Sequence, residues 1–216
     1  IYTTEHTLSL HDALPISTPT LLITGMGIVD DVSKCVTMDA KKPGNLIAVI
    51  EAAGPDSMHN MTRFGGAHLS AHVSLPEDAD AAMPEPDLVE GPKLARLIAE
   101  LIQRGLIVSA HDASEGGPLV AVAEMLIAGS SSNNSIGAKY TFCGPTPFVR
   151  HLGDRPHCYV LEIEAGNKEA VSDLCTKRDC KGVTWLGEFT GSGSLSFESD
   201  SIPVADLIRA WNREII

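Results

Sequence analysis

Between Gly91 and Gly105 apolar side chains recur at the three- and four-residue spacing of one helical face: Leu94, Leu97, Ile98, Leu101 and Ile102. Pro92 suits the first turn and Gly105 the position just past the last, so a helix is predicted there. Short apolar runs bounded by turn residues predict buried strands at Thr20–Gly25, Leu46–Glu51, Leu106–Ala110, Tyr159–Ile163 and Val183–Leu186. A glycine-serine turn, Gly191 to Ser194, leads into a further strand at Leu195–Phe197. Leu119–Ala128 is apolar on most of its surface, which predicts a buried helix ended by Gly129. Helices are also predicted at Lys168–Thr176 and at Val204–Asn212, the latter with Leu207, Ile208 and Trp211 on one face. "SSSNNS" reads as a flexible turn. Strands alternating with helices of this length predict an α/β fold, an α+β sandwich with one mixed sheet and packed helices. No internal repeat is present.

Composition adds mainly exclusions. The chain has 216 residues, 44% apolar and 20% charged, as in an ordinary globule. Its net charge of −12, with no basic run, argues against nucleic acid as a partner. Anionic small molecules stay open, because backbone amides and a metal bind them without net positive charge. Cys35, Cys143, Cys158, Cys175 and Cys180 form no CxxC, and an odd, scattered set fits a reducing cytoplasm. No apolar run reaches the ~18 residues of a membrane span. Ile1–Ser17 has no Lys or Arg and so is not a secretory signal. It resembles the in-frame translation of a sequencing-adapter oligonucleotide, with Thr4-Glu5-His6 as the variable index. Residues 1–17 are therefore set apart as a non-native or disordered extension, and residues 18–216 as the domain.

The candidate chemistry lies in "SAHDASEGGPLVAVAEMLIAG", Ser109 to Gly129. A strand end followed by a glycine turn presents free N–H groups at the next helix start, where the dipole favours an anion. Gly116 and Gly117 let a ligand or another backbone approach closely. Asp112 is a hard oxygen donor of the kind Mg²⁺ takes, and Ser114 can donate to a phosphate oxygen. The bland alternative stands beside this: Asp112 or Ser114 as helix cap, the glycines for packing. His111 alone reads as a hydrogen-bonded structural histidine.

The stretch also resembles the "SAHDxSxGGLxxALAEM" signature of the phosphoribosylformylglycinamidine synthase family, within the PurM-like superfamily. "TPTLLITGMGIVDDVSK", "KPGNLIAVI", "RFGGAHLS", "GEFTGSGSLSF" and "VADLIRAWNREI" resemble further segments of that family in the same order. The resemblance implies a fold like the PurM C-terminal domain. It implies a part in converting formylglycinamide ribonucleotide, ATP and ammonia from glutamine to the amidine, ADP and phosphate, a ligase reaction of purine biosynthesis. ATP and Mg²⁺ are the implied cofactors. Asp112 is the implied metal ligand and Ser114 a nucleotide contact, with Gly116 and Gly117 at the same turn. Gly65 and Gly66 are phosphate-loop or substrate candidates. The family's "GGSE" reads Gly65-Gly66-Ala67-His68 here, which leaves only backbone N–H groups for such contacts. Asp154 is placed to stand in for an acid of the family's "LFxE" stretch. The family's catalytic histidine and main nucleotide loop lie upstream, so no catalytic residue is expected here and the chain is expected to be inactive alone. The implied partners are the missing N-terminal half, a separate glutaminase subunit and a small bridging subunit. Two alternatives remain: the C-terminal domain of a selenophosphate synthase, hydrogenase-maturation or thiamine-monophosphate kinase type enzyme, or a non-catalytic assembly domain.

Overall fold

A computed structural model describes residues 24–52, 68–72, 83–130, 135–144, 151–180 and 183–212. Two compact units are distinguished, residues 1–32 and residues 33–216. In the first, residues 24–31 are exposed, with neither helix nor strand. The extension expected at 1–17, and most of the strand expected at Thr20–Gly25, lie outside the described residues.

The second unit carries a seven-stranded mixed sheet: β1 (Leu46–Glu51), β2 (Ser109–Asp112), β3 (Gly137–Tyr140), β4 (Cys158–Ile163), β5 (Val183–Thr190), β6 (Ser194–Phe197) and β7 (Asp200–Pro203). Their order is β2-β4-β1-β5-β3-β6-β7, antiparallel throughout except for the parallel pair β3 and β6. The helices are α1 (His68–His72), α2 (Glu90–Gln103), α3 (Gly117–Gly129), α4 (Lys168–Lys177) and α5 (Val204–Trp211).

Strand periodicity divides the core. Along β1, Ile47 and Val49 join one buried cluster and Ala48 and Ile50 the other, as alternation across a pleat requires. The first cluster takes Leu119, Val122, Met125 and Leu126 of α3, with Leu207 and Ile208 of α5 against it. The second takes Leu94, Leu97, Ile98 and Leu101 of α2, with Val171 and Leu174 of α4. The sheet is thus covered on both faces, and β1 is buried from both sides.

The apolar face read for α2 is the buried one, and α3 is buried along most of its length. Two expectations need correction. The strand placed at Leu106–Ala110 runs instead from Ser109 to Asp112 and lies at the sheet edge. Leu106 and Ile107 are used to leave α2, where Leu106 N–H donates to Leu101 O. Trp211, read with Leu207 and Ile208 on one face, is 63% exposed.

Both α2 and α4 close with the same bonds. After α2, Gly105 is left-handed, its N–H donates to Ile102 O, and Leu106 N–H donates to Leu101 O. After α4, Asp179 is left-handed, its N–H donates to Thr176 O, and Cys180 N–H donates to Cys175 O. These are Schellman motifs, which satisfy terminal carbonyls and bring together the side chains flanking the closing bond. On the surface Glu100 of α2 bonds Arg178 beyond α4 and Arg104, which pushes its carboxyl down to about 2.

One buried acid ties the segment before β1 to the sheet. Glu162 of β4 is fully buried, and its carboxylate accepts from Lys41 N–H at 2.8 Å, Lys42 N–H at 3.0 Å and Asn45 Nδ2 at 2.7 Å. Burial pushes this carboxyl above its ordinary value, against the opposing pull of its donors. The same segment reaches the β2 edge, where Ala110 N–H donates to Thr37 O.

Candidate functional site

The junction between β2 and α3 is built from the edge strand, a four-residue turn (113–116) and a helix buried by its own apolar sequence. β2 pairs only with β4 among the strands, so Asp112, opposite Tyr159, projects at its outer end. The Asp112 side chain is 66% exposed. Its Oδ1 lies 3.1 Å from Nδ1 of His111. Burial, and then the Asp112 charge, push the pKa of Tyr159 up.

His111 is held from both sides, with Nε2 2.8 Å from Oε2 of Glu124 on α3. A neutral ring donates to one of these carboxylates and an imidazolium to both. The residue is therefore hydrogen-bonded, as its sequence context suggested. Glu124 was missed. Its signal was a lone carboxylate inside the apolar run Leu119–Ala128, a place that calls for a buried partner.

Neither Asp112 nor Ser114 caps α3: the N-cap residue is Gly116, and Ser114 is exposed. The turn is held instead by Asp154, whose Oδ1 accepts from Gly116 N–H at 2.6 Å. Gly116 and Gly117 are both left-handed, with φ of 72° and 70°. A Cβ on Gly117 would sit 2.6 Å from Gly153 O and 3.0 Å from His151 O, so the 151–153 backbone fills that space. Replacing Asp154 by Ala is expected to cost about 1 kcal/mol, the usual price of a lost acceptor at a helix start, and Asp112→Ala close to none. Urea unfolding of the two variants checks this.

The structure thus brings together Asp112, His111 and Glu124, and separately Gly116, Gly117 and Asp154. Gly65 and Gly66 lie outside the described residues. Among the described residues no three His, Cys, Asp or Glu side chains are grouped to hold a metal. A cavity of about 440 Å³ opens elsewhere, between β3, β5 and β6, with Tyr140, Thr190 and Phe197 in its lining. Several hydroxyls there are spent within the fold: Thr190 and Ser192 bond each other, Ser192 Oγ donates to Ser194 O, and the Tyr140 hydroxyl bonds His151 Nδ1. The chemistry-bearing groups are at the β2–α3 junction, and we take that as the candidate site.

Residues 42–200 match the family model described as AIR synthase related protein, C-terminal domain. The chain belongs to this family. The PurL subunit of phosphoribosylformylglycinamidine synthase from Bartonella bacilliformis is 28% identical over 199 residues, 89% of this chain and 24% of that protein. The PurL subunit from Azorhizobium caulinodans is 35% identical over 188 residues, 84% of this chain and 23% of that protein. The chain spans about a quarter of the length of these relatives. Thermotoga maritima PurL complexed with FGAR matches with a TM-score of 0.61 at 16% identity, over 86% of this chain and 31% of that one. The same protein complexed with ATP (TM-score 0.57, 15%) and as PurLQS (0.58, 16%) each cover 86% of this chain and 29% of their own. These likenesses establish the PurM-like fold of the AIR synthase related domain.

Proposed function

We propose that this chain is the C-terminal part of a phosphoribosylformylglycinamidine synthase, an ATP-dependent ligase of purine biosynthesis that converts FGAR to its amidine. The observation that carries the reading is the junction signature Ser109–Gly129 in a chain with PurL relatives along most of its length. FGAR and ATP are bound by the T. maritima relative, and PurLQS is an assembly of it. The partners of this chain are then the rest of the enzyme, a glutaminase subunit and a small bridging subunit.

The residues of the junction fit part of a Mg-nucleotide site. Asp112 offers an exposed carboxylate and Ser114 an exposed hydroxyl. A single carboxylate suits Mg²⁺, which keeps waters and phosphate oxygens as its other ligands and supplies charge neutralisation at a phosphoryl group. The amide half does not fit as well, since Gly116 N–H is engaged by Asp154 and the Gly117 surface is filled. His111, fixed by Glu124, lies between the two carboxylates and orients Asp112. No step of phosphoryl transfer is assigned to these residues; their task is to bind and to orient.

The test expresses the chain together with the upstream part of its own reading frame and measures ADP release with FGAR, ammonia and Mg²⁺. FGAR-dependent release is expected. A folded protein that releases none overturns the reading. Asp112→Ala is expected to weaken Mg-nucleotide binding by about tenfold, one charged contact's worth, while the unfolding midpoint stays put. The filled glycine surface favours a second reading, an assembly domain that keeps the fold for contact alone. Intact ADP release in Asp112→Ala, Ser114→Ala would support it for this half of the enzyme.

A further inference from the structure

The geometry points to Cys175 and Cys180 as a dithiol that closes to an intrachain disulfide when the protein meets a low-molecular-weight disulfide. This rests on the closing turn of α4 and is independent of the proposed enzymatic role.

The Schellman motif fixes the placement. Cys180 N–H donates to Cys175 O at 2.9 Å, and Asp179 N–H donates to Thr176 O at 3.1 Å. In such a turn the two residues joined by the outer bond set their side chains against each other. At the end of α2 the equivalent pair is Leu101 and Leu106, an apolar contact. At the end of α4 both members are cysteines. Cys175 is buried in the core cluster beneath α2 and α4, and Cys180 packs against that same cluster. A six-residue turn closed by a backbone bond also holds the two Cα atoms within the span that a disulfide bridges. The left-handed turn residue is Asp179, with φ of 55°, where the α2 motif has Gly105. The contact is thus held in place by a conformation that the side chain itself disfavours.

The two sulfurs differ in access. Cys175 is 2% exposed, and Cys180 is half-buried beside the surface. Contact with Cys180 and burial both push the Cys175 thiol up, which leaves it protonated and inert while Cys180 is a thiol. The order follows. The Cys180 thiolate attacks one sulfur of glutathione disulfide, forms a mixed disulfide and expels one glutathione thiolate. The Cys175 thiolate then attacks the Cys180 sulfur, forms the Cys175–Cys180 bond and expels the second. Two electrons pass from the protein thiols to the small disulfide, and the two thiol protons end on the two glutathione molecules released. The bond forms inside a turn already closed by its own backbone bonds, so the oxidised form is expected to keep the ion pairs of Arg178 with Glu100 just beside it.

Trypsin converts this into a direct measurement, because Lys177 and Arg178 lie between the two cysteines. The full chain is incubated with glutathione disulfide under native conditions, alkylated, digested and weighed. The expected product is residues 169–177 linked to residues 179–181, two hydrogens lighter than the separate peptides. Exposed Cys35 carries a glutathione adduct instead. In Cys175→Ser the link disappears and Cys180 retains glutathione. If that buried substitution unfolds the chain, Cys180→Ser serves, and Cys175 is then expected to stay reduced and unmodified. A wild-type protein in which Cys180 holds glutathione while Cys175 remains a free thiol overturns the inference. So does a 175–180 link no more abundant than pairings with Cys143 or Cys158.

Discussion

Replacing Gly187 by Ala is expected to destabilise the domain by about 4 kcal/mol, combining a disallowed backbone with overpacking. Gly187 lies in β5 with φ of 142°, a region open to glycine and almost closed to other residues. A Cβ there would fall 1.9 Å from Lys139 O on the neighbouring strand β3. Nothing flexible can yield, since the obstacle is backbone in the middle of the sheet. The cause is a bulge. Ile47 pairs with Gly187 and Ala48 with Trp185, so Leu186 is the extra residue between β1 and β5. Leu186 remains buried and its carbonyl accepts from Thr141 N–H, so the bulge joins β1 and β3 to one strand. Urea unfolding measures the loss, which is a large part of the 5–15 kcal/mol typical of a domain. A loss under 1 kcal/mol would mean that β5 and β3 can separate without cost.

Glu162→Ala is expected to cost about 3 kcal/mol or more, because it strips three donors of their shared acceptor in the interior. The isosteric Glu162→Gln isolates the charge. The native carboxyl has a raised pKa, so the folded state binds its proton more tightly than the unfolded chain does. Stability drawn from this group is therefore present in full below the ordinary carboxylate value and falls as pH rises through the raised one. The margin of wild type over Glu162→Gln should shrink with rising pH across that window. A margin that grows with pH would show that the donors outweigh burial. Amide hydrogen exchange at Lys41 and Lys42, faster in both variants, locates the effect.

The sequence made the helices plain and the edges of the sheet obscure. α2, α3 and α4 carry either a clean apolar face or a long, mostly apolar run, and each is where that pattern put it. β3, with the sequence GAKY, has no β-branched residue and is a strand only because β5 and β6 flank it. β7 is mostly exposed and is defined by its hairpin with β6. At the junction, Asp112, Ser114 and the glycines were visible, and Asp154 was singled out for an acid of the family, but the contacts that hold the junction were not. Glu124 and Asp154 come from 13 and 38 residues away, and no local pattern encodes a contact at such separations. Glu162 read as one polar position in an apolar strand; only the fold reveals that it faces three donors from before β1.

That carboxylate also sets where the domain can be cut. The family match begins at residue 42, yet Lys41 N–H is one of the three donors, Ala40 N–H donates to Met125 O, and Gly129 packs against Ala40. A polypeptide started at residue 46, on the first strand, would keep every strand of the sheet and the helices α1 to α5 and still strip the Glu162 carboxyl of all three donors. A polypeptide that keeps all of these bonds, and that of Thr37 O with Ala110 N–H, therefore begins at or before Thr37, well upstream of the first strand.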